Sequence, residues 1–316
     1  MQPDSPEVTI LIVNWNAGDY LIRCLKTIPQ IYPVIIVDNN SKDGSIEKVA
    51  SMFPGVKIIK SPINLGFAAG NNLGLKEVAT KYVLFLNPDT EVIDDAIEQM
   101  VRFLETHPDY DAVGPRIIEA NGEYSKVSGR RHITLWTSFC NACLLDRLWR
   151  NKWLGWRYIP EWDRQTSRDV ECLAGCAMLM RTGVVKEVGG FDESVPLYLD
   201  DNDLSRKITE RGGRIYCLVE ANIRHIHFVS SNQAPSAWIT QVELLAYYVY
   251  LQKYERKYIP GMFRFFVFLG AMIRLGVFSI LSCFNRKYFR NLKVAWDMLT
   301  FSLFYCGSEK LKICPE

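Results

Sequence analysis

The sequence predicts an α/β fold in which a mostly parallel sheet carries helices on both faces. Three observations support this prediction. Short β-branched runs alternate with helical stretches, several of these runs are apolar at every position, and polar residues follow four successive runs. Strands covered by helices on both sides need apolar residues on both faces. Ligands of such sheets bind beyond the carboxyl ends of the strands.

The elements follow a βαβ order through the first half of the chain. We predict strands at 8–13, 34–38, 56–60 and 82–86, with helices near 18–28, near 44–51, from residue 67 and near 93–106. Further strands are expected at 112–114, 172–181 and 214–219, with a helix between 201 and 211. Gly66, Gly70 and Gly74 recur at every fourth position, which indicates a helix packed closely on the sheet.

Length and composition indicate a main domain with an appendage. The 316 residues exceed the usual size of one domain, and the hydrophobic content of 48% is enough for a sizeable core. We predict a first region at 1–240 and a helical region, rich in aromatic, apolar and basic residues, at 241–316. Within the first region, 130–170 interrupts the pattern with five tryptophans and many arginines, and we interpret it as an inserted lid or acceptor-facing segment.

Charge and cysteine content exclude several classes of protein. A net charge of +2, from 37 basic and 35 acidic residues, provides no field that would attract nucleic acid. Nine cysteines are an odd number in a chain too long to need disulfides, which favours a reducing compartment. Cys140 and Cys143 form a single CxxC, which we interpret as helix residues rather than a zinc site. Two prolines and Asp4 stand where a signal peptide needs basic and then apolar residues, so we expect the chain to start in the cytoplasm.

The predicted strand ends carry polar residues but no phosphate-binding loop. The sequence has neither GxGxxG after the first strand nor GxxxxGK[ST]. The main motifs that indicate dinucleotide dehydrogenases and P-loop enzymes are therefore absent. Without such a backbone cradle, a metal ion would have to neutralise a nucleotide diphosphate, and hard cations prefer carboxylate and water oxygens. Asp89, which follows a buried strand, is the obvious anchor.

Eight short motifs follow one another between residues 8 and 232: VTILIVNWN, VDNNSKDGS, NLGFAAGNN, FLNPDT, AGCAMLMR, VGGFDE, YLDDNDLSRKI and HIHFVSS. Together they resemble the family 2 glycosyltransferases, in particular the rhamnosyltransferase-like branch. The resemblance implies the GT-A nucleotide-diphospho-sugar transferase fold, with a mostly parallel, Rossmann-like sheet and flanking helices.

The resemblance assigns a nucleotide site to the strand ends. Asp38 matches the aspartate that accepts a hydrogen bond from the pyrimidine base. The other nucleotide-binding positions implied are Asn14, Asn40, Asn64, Gly66, Asn71, Asn72 and Asn87.

The family's DxD metal motif maps onto Asn87-Pro88-Asp89, in which Asn replaces the first Asp. That replacement is common in the rhamnosyltransferase-like branch, so the resemblance still implies Mn²⁺ or Mg²⁺ bound through Asp89. The late histidine motif implies a second metal ligand. We favour His227, and a one-residue shift of the alignment would give His225 instead.

The resemblance places the catalytic base at Asp201, in the acidic motif at 198–203. Direct displacement at an anomeric carbon needs one base to take the proton of the acceptor hydroxyl, and a helix N-terminus favours an ionised carboxylate. Asp200, Asp201 and Asp203 could instead be simple capping and first-turn acids.

The apolar run at 262–283 is about long enough to span a bilayer, but Arg264 and Arg274 interrupt it. Dense aromatic residues suit a helix or helical hairpin lying in the headgroup region of an anionic leaflet. A helical appendage packed on the main domain is the alternative. The basic residues that flank the run are Lys253, Arg256, Lys257, Arg286, Lys287, Arg290 and Lys293.

The sequence therefore predicts an inverting hexosyltransferase. It would move rhamnose or a similar sugar from a dTDP- or UDP-sugar to a hydroxyl of a glycan or lipid-linked saccharide, in cell-surface polysaccharide biosynthesis. We expect it in the cytoplasm, peripheral to or partly inserted in the inner face of the membrane. The alternatives are a catalytically silent nucleotide-sugar-binding protein and a nucleotidyltransferase of similar fold. The latter normally has a basic, Gly-rich first loop, whereas NWNAGDY contains neither Lys nor Arg.

Overall fold

The computed structural model describes residues 7–145, 159, 161–195, 197–226, 236–255 and 259–304. The strands are β1 (Val8–Asn14), β2 (Val34–Asp38), β3 (Lys57–Lys60), β4 (Tyr82–Leu86), β5 (Thr90–Ile93), β6 (Tyr110–Glu119), β7 (Gly129–Arg130), β8 (Arg168–Asp169), β9 (Cys172–Leu173), β10 (Ala177–Arg181) and β11 (Arg214–His225). The helices are α1 (Asp19–Thr27), α2 (Ser45–Met52), α3 (Gly66–Leu75), α4 (Ala96–Thr106), α5 (Leu135–Ala142), α6 (Thr182–Glu187), α7 (Asp200–Glu210), α8 (Ser236–Tyr254), α9 (Ile259–Phe284) and α10 (Phe289–Phe304).

The main sheet has the strand order β3-β2-β1-β4-β10-β6-β11-β5, and β8 pairs with β11 off this path. β3, β2, β1 and β4 are parallel. β10 runs antiparallel between β4 and β6, while β11 is parallel to β6 and antiparallel to the edge strand β5. The sheet is therefore mixed but mostly parallel. The strand order reverses between β1 and β4, where the carboxyl ends of parallel strands open a crevice for ligands.

Each face of the sheet has its own apolar core. Ile10, Ile12 and Ile36 belong to the core that includes α1 and α4, and Leu11 and Val37 belong to the core on the opposite face. This alternation explains why β1 and β2 are apolar at nearly every position, as the sequence predicts.

The second core confirms the close packing predicted from the glycines of α3. A Cβ added at Gly70 would lie 2.9 Å from Val13 Cγ1, and one added at Gly74 would overlap Leu11 Cδ1. These glycines therefore let α3 approach β1 more closely than any larger residue would allow.

Two differences from the sequence prediction occur at the binding edge. The predicted helix near 93 begins at Ala96, because Thr90–Ile93 forms β5 and Asp94 turns the chain with a φ of 51°. The strand predicted at 172–181 is divided into β9 and β10 by a turn in which the Ala177 amide donates to the Ala174 carbonyl. This break turns the Gly175 amide towards α7.

The C-terminal helices share a third core with the rest of the chain. Tyr250, Phe263 and Val267 pack with Ile133 and Leu199. Among the described residues, one segment, Gly261–Phe284, is long and apolar enough to cross a membrane by length and composition.

The two arginines that interrupt this segment bind carbonyl groups within the protein. Arg264 donates to the Ser302 carbonyl at the end of α10, and Arg274 donates to the Asn141 and Ala142 carbonyls at the end of α5. Both guanidinium groups therefore donate hydrogen bonds to carbonyls at helix C-termini, which have no partner within their own helix.

Candidate active site

The carboxyl ends of β1 and β2 form the first part of the site. Asn14 and Asp38 are register partners, and Asn14 Nδ2 donates to Asp38 Oδ1 at 3.1 Å. The same amide nitrogen lies 2.9 Å from Ser41 Oγ and 3.1 Å from Ser45 Oγ. Asp38 is 5% exposed and also accepts a hydrogen bond from the Ser41 amide. The pair is thus held rigidly at the edge of the crevice.

Two amide oxygens at this edge are buried and accept no hydrogen bond from the described residues. They are Oδ1 of Asn14 and Oδ1 of Asn39. Asn39 is oriented by its own Nδ2, which donates to the Gly66 carbonyl at 3.0 Å. Buried polar atoms are normally satisfied by protein, water or ligand, so these two oxygens are candidate acceptors for a bound molecule.

The other nucleotide-binding positions predicted from the sequence make local contacts. Asn64 Oδ1 accepts the Gly66 amide and shapes the turn before α3, and Asn71 Nδ2 donates to the Phe67 carbonyl one turn back. Asn40 has a φ of 62° and accepts from Lys42 Nζ.

Asn72 and Asn87 also make contacts that belong to the scaffold. Asn72 binds the backbone of Phe191 in both directions. The amide of Asn87 donates to the Cys176 carbonyl at 2.9 Å, which fastens the end of β4 to the turn before β10.

Asp89 meets a histidine at the end of β11. His225 Nε2 lies 3.2 Å from Asp89 Oδ1, and both side chains are 10% exposed. Burial opposes the charge on this imidazole, but Cys176 and Asp89 together raise the pKa of His225 to about 10. His227, the metal ligand favoured from the sequence, lies outside the described residues, and the alternative His225 is the histidine seen beside Asp89.

The pair formed by Asp89 and His225 supplies a carboxylate and an imidazole. In the described part of the chain, no group of three or more His, Cys, Asp or Glu side chains gathers closely enough to hold a metal ion. With His225 deprotonated, the two side chains fit a divalent cation that takes its remaining ligands from a bound diphosphate and water, because an imidazole binds a metal only in its neutral form.

Asp201 is the second residue of α7. Its Oδ2 accepts hydrogen bonds from Arg130 Nη2 at 2.5 Å and from the Gly175 amide at 2.9 Å, and its Oδ1 accepts from Asn202 Nδ2 at 2.7 Å. Cys176, next to Gly175, accepts the Asn87 amide. Two backbone hydrogen bonds on adjacent residues therefore connect Asp201 to the loop that contains Asp89.

The sequence profile of Glycosyl transferase family 2 matches residues 9–189, which is more than half of the chain. The chain belongs to this family. It is therefore a glycosyltransferase, and inversion at the anomeric carbon is typical of the family. This membership removes the nucleotidyltransferase alternative.

Similar proteins include other glycosyltransferases. An N-acetylglucosaminyl-diphospho-decaprenol L-rhamnosyltransferase of Mycobacterium tuberculosis is 25% identical over 244 residues, covering 72% of this chain and 78% of the relative. A mannosyltransferase of Pyrobaculum calidifontis, solved in complex with GDP-Man and Mn²⁺, superposes with a TM-score of 0.58 at 13% identity, covering 96% of this chain and 89% of that one. Staphylococcus aureus TarS gives a TM-score of 0.52 at 14% identity, covering 96% and 92%. At these identities the solved structures show that the chain has the GT-A fold.

In this glycosyltransferase, the two acids beside Asp201 have different surroundings. Asp200 is 6% exposed, and burial followed by the neighbouring charge of Asp201 raises its pKa to about 8. Its Oδ1 accepts the Asp201 amide at 3.0 Å. Asp203 faces the other way and accepts hydrogen bonds from Lys253 Nζ and Tyr254 Oη of α8, both at 2.7 Å.

Arg130 is a site residue that the sequence analysis missed. The sequence Gly129-Arg130-Arg131 gives no reason to separate the two arginines, yet their environments differ. The Arg130 side chain is 6% exposed and paired with Asp201, whereas Arg131 is 29% exposed and paired with Glu161. Only the pairing of β7 with β9 turns Arg130 inward.

Proposed function

We propose that this enzyme transfers rhamnose or a similar hexose from a dTDP- or UDP-sugar to a hydroxyl of a glycan or lipid-linked saccharide, with inversion. The observation that carries the proposal is the connection of Asp201 to the loop of Asp89 through Gly175, Cys176 and Asn87. The segments that carry a candidate base and a candidate diphosphate ligand are thus joined directly. Sugar transfer by direct displacement needs both in the same place.

The donor nucleotide is proposed to lie along the ends of β1 and β2. Asp38 keeps acceptor capacity beyond its bonds to Asn14 and Ser41, because an ionised carboxylate has about four lone-pair sites. It can therefore accept the ring N–H of uracil or thymine. The unsatisfied oxygens of Asn14 and Asn39 can accept further donors of the nucleoside, such as ribose hydroxyls. Asn40, Asn64, Gly66, Asn71 and Asn87 would then shape this cradle.

The diphosphate end of the donor is proposed to meet Asp89. This carboxylate, together with His225 or His227, would hold Mn²⁺ or Mg²⁺. When bound, the cation would neutralise charge that develops on the departing nucleoside diphosphate. The Mn²⁺ in the Pyrobaculum calidifontis mannosyltransferase, which shares this fold, supports the proposal.

Asp201 is proposed to act as the general base. The oxygen of the acceptor hydroxyl attacks the anomeric carbon, the bond from that carbon to the diphosphate breaks, and the hydroxyl proton passes to the Asp201 carboxylate. Asp201 keeps 11% of its side chain exposed, which leaves it within reach of an acceptor. This carboxylate supports catalysis over silent nucleotide-sugar binding.

A lipid-linked acceptor and contact with a membrane are proposed from the outer face of α9. This face is mostly apolar and exposed, including Phe265 at 60%, Ile280 at 65% and Phe284 at 84%. The Mycobacterium tuberculosis relative is named for a decaprenol-linked acceptor. We propose that the enzyme works from the cytoplasm on the inner face of the membrane, with 1–240 as the catalytic region and 241–316 as the membrane-associating region. The 130–170 segment would lie on the acceptor side.

The donor can be identified with the purified enzyme and a panel of nucleotide sugars. We expect a dTDP- or UDP-sugar to raise the unfolding temperature and to be consumed when a polyprenyl-diphosphate saccharide is added. Parallel GDP- and ADP-sugars test the pyrimidine selectivity assigned to Asp38. Preference for a purine donor would contradict the proposed nucleotide site, and binding of the donor without any transfer would favour the silent protein.

A further inference from the structure

A buried ion pair holds one oxygen of Asp201. Arg130 Nη2 lies 2.5 Å from Asp201 Oδ2 and also donates to the Leu173 carbonyl at 2.8 Å. The two side chains are 6% and 11% exposed. The guanidinium is therefore fixed both to the carboxylate and to the backbone of β9.

The two oxygens of Asp201 differ in the hydrogen bonds they accept. Oδ2 accepts two, from Arg130 and from the Gly175 amide, whereas Oδ1 accepts one, from Asn202 Nδ2. Each oxygen of an ionised carboxylate offers about two lone-pair sites. Oδ2 is thus fully occupied by the described residues, and the remaining acceptor site lies on Oδ1.

Stability alone is a poor explanation of this pair. Burying an arginine and an aspartate together costs desolvation energy that their attraction often only balances, and apolar pairs of similar size are frequently as stable. Orientation explains it better, because the donors on Oδ2 come from β7 and from the turn after β9, outside the helix that carries Asp201. Those contacts fix the carboxylate in a way that its own helix could not.

We propose that Arg130 is a positioning residue, which holds Oδ2 of Asp201 so that Oδ1 takes the proton of the acceptor hydroxyl. The proposal rests on the proposed role of Asp201 as the base. In this role Arg130 acts through Asp201 and not on the donor or the acceptor. It acts by fixing the carboxylate and by keeping a positive charge beside it, and it lies in the first strand leading into the acceptor-side segment.

The first test compares Arg130→Met, Arg130→Lys and the control Arg211→Met, whose parent side chain pairs with Glu187 at the surface. We expect Arg130→Met to lower kcat about 10²-fold, the scale of a base misplaced by about 1 Å. The dissociation constant for the donor nucleotide should change less than about twofold, because Asp38 and Asp89 are untouched. Arg130→Lys should recover at least about tenfold of the loss, since an ammonium keeps the charge without the planar fork. Arg211→Met should match the wild type.

A kcat for Arg130→Met within about threefold of the wild type, or a loss confined to donor binding, would overturn the proposal. Should Arg130→Met fail to fold because Asp201 is left unpaired, the double variant Arg130→Met/Asp201→Asn removes both charges. It is expected to transfer sugar at the residual rate of Asp201→Asn alone. A further loss in the double variant would show that Arg130 acts independently of Asp201, and would also overturn the proposal.

The controls separate this inference from the proposed function. If Asp201→Asn transfers sugar at the wild-type rate, Asp201 is not the base, and the positioning role of Arg130 is contradicted as well. If Asp201→Asn is inactive and Arg130→Met, measured separately, is as active as the wild type, the proposed function is retained and only the positioning role of Arg130 is contradicted.

Discussion

At the residue scale, Asp200 and Asp201 are adjacent acids with different surroundings. Burial and the charge of Asp201 raise the pKa of Asp200 to about 8, whereas Asp201 faces the guanidinium of Arg130. Neighbouring titratable groups whose surroundings differ in this way mark acid and base roles in many enzymes. Here the contrast favours Asp201, the acid that pairs with a guanidinium, as the candidate base.

This difference predicts how stability depends on pH. Between the ordinary aspartate pKa near 3.9 and the folded value of about 8, folded Asp200 keeps a proton that the unfolded chain has lost, so stability falls as pH rises through this window. Asp200→Asn keeps the oxygen that accepts the Asp201 amide but does not titrate. We expect its unfolding temperature to fall less than that of the wild type between about pH 5 and pH 8. Equal slopes would show that Asp200 is ionised in the folded state.

Asp89 allows a second prediction at this scale. Asp89→Asn should weaken the Mn²⁺-dependent affinity for UDP or dTDP by about tenfold or more, because the amide no longer neutralises a cation. Titration calorimetry with and without Mn²⁺ measures this effect. Asp94→Asn is the control, since Asp94 is an exposed turn residue in the same loop region. A nucleotide affinity that changes neither with Mn²⁺ nor with the Asp89 substitution would rule out the metal site.

The sequence could indicate Asp38, Asp89 and Asp201, because each follows a strand or begins a helix in a motif. It could not indicate Arg130, whose partner lies 71 residues away and is reached only through the pairing of two two-residue strands. The contact between His225 and Asp89 also needed the position of β11, which ends at His225.

At the element scale, one ion-pair cluster fastens the C-terminal helices to the catalytic region. Asp203 in α7 is fully buried and is contacted by Lys253 and Tyr254 of α8. Lys253 also pairs with Asp192 at 2.6 Å. The sequence places Lys253 among the basic residues that could contact lipid headgroups, but its ammonium group forms ion pairs within the protein. Arg256, Lys257 and the side chain of Lys287 lie outside the described residues, while Arg286, Arg290 and Lys293 are exposed.

Lys253→Met should therefore lower the free energy of unfolding by about 1–3 kcal/mol, because it leaves the buried Asp203 with fewer partners. Urea denaturation measures the loss. Lys48→Met is the matched control, since it breaks an ion pair with Asp19 whose side chains are 56% and 79% exposed. Its effect should stay within about 0.5 kcal/mol. A Lys253 effect as small as that of Lys48 would show that the cluster does not hold α8 in place.

Long elements were predictable from periodicity, and short ones were not. The apolar runs of β1, β2 and β4 and the glycine spacing of α3 come directly from the sequence. β7, β8 and β9 have two residues each, too few for any pattern, and their pairing depends on distant segments. The turn that divides β9 from β10 had no signal either, although it provides the Gly175 amide to Asp201.

At the scale of the whole molecule, α9 has one face packed against the protein and an exposed apolar face on the opposite side. Phe263, Val267 and Ala271 are buried, as is Phe278, while the two arginines bind carbonyls of α5 and α10. A helix packed in this way along one side suits insertion of its other side into one leaflet. The exposed apolar residues are Met262, Phe265, Phe268, Leu269, Met272, Ile273, Val277, Ile280 and Phe284.

The triple variant Phe265→Ser/Met272→Ser/Ile280→Ser should move the enzyme from anionic vesicles to the soluble fraction, since each buried apolar side chain contributes about 1.5–3 kcal/mol. Transfer to a short, water-soluble acceptor should persist. The control Ile31→Ser/Met52→Ser/Ile63→Ser removes three equally exposed apolar residues from the catalytic region. Vesicle sedimentation should leave this control bound. Wild-type enzyme that does not bind the anionic vesicles would contradict a membrane role for α9.

The central claim is that Asp201 takes the acceptor proton in a sugar transfer. Its most direct test is the rate of transfer by Asp201→Asn, measured together with donor-nucleotide affinity in the same preparation. The account predicts a rate about 10²–10⁴-fold below the wild type, with the affinity for the nucleotide changed less than about twofold. A folded Asp201→Asn enzyme that transfers sugar at nearly the wild-type rate would contradict it.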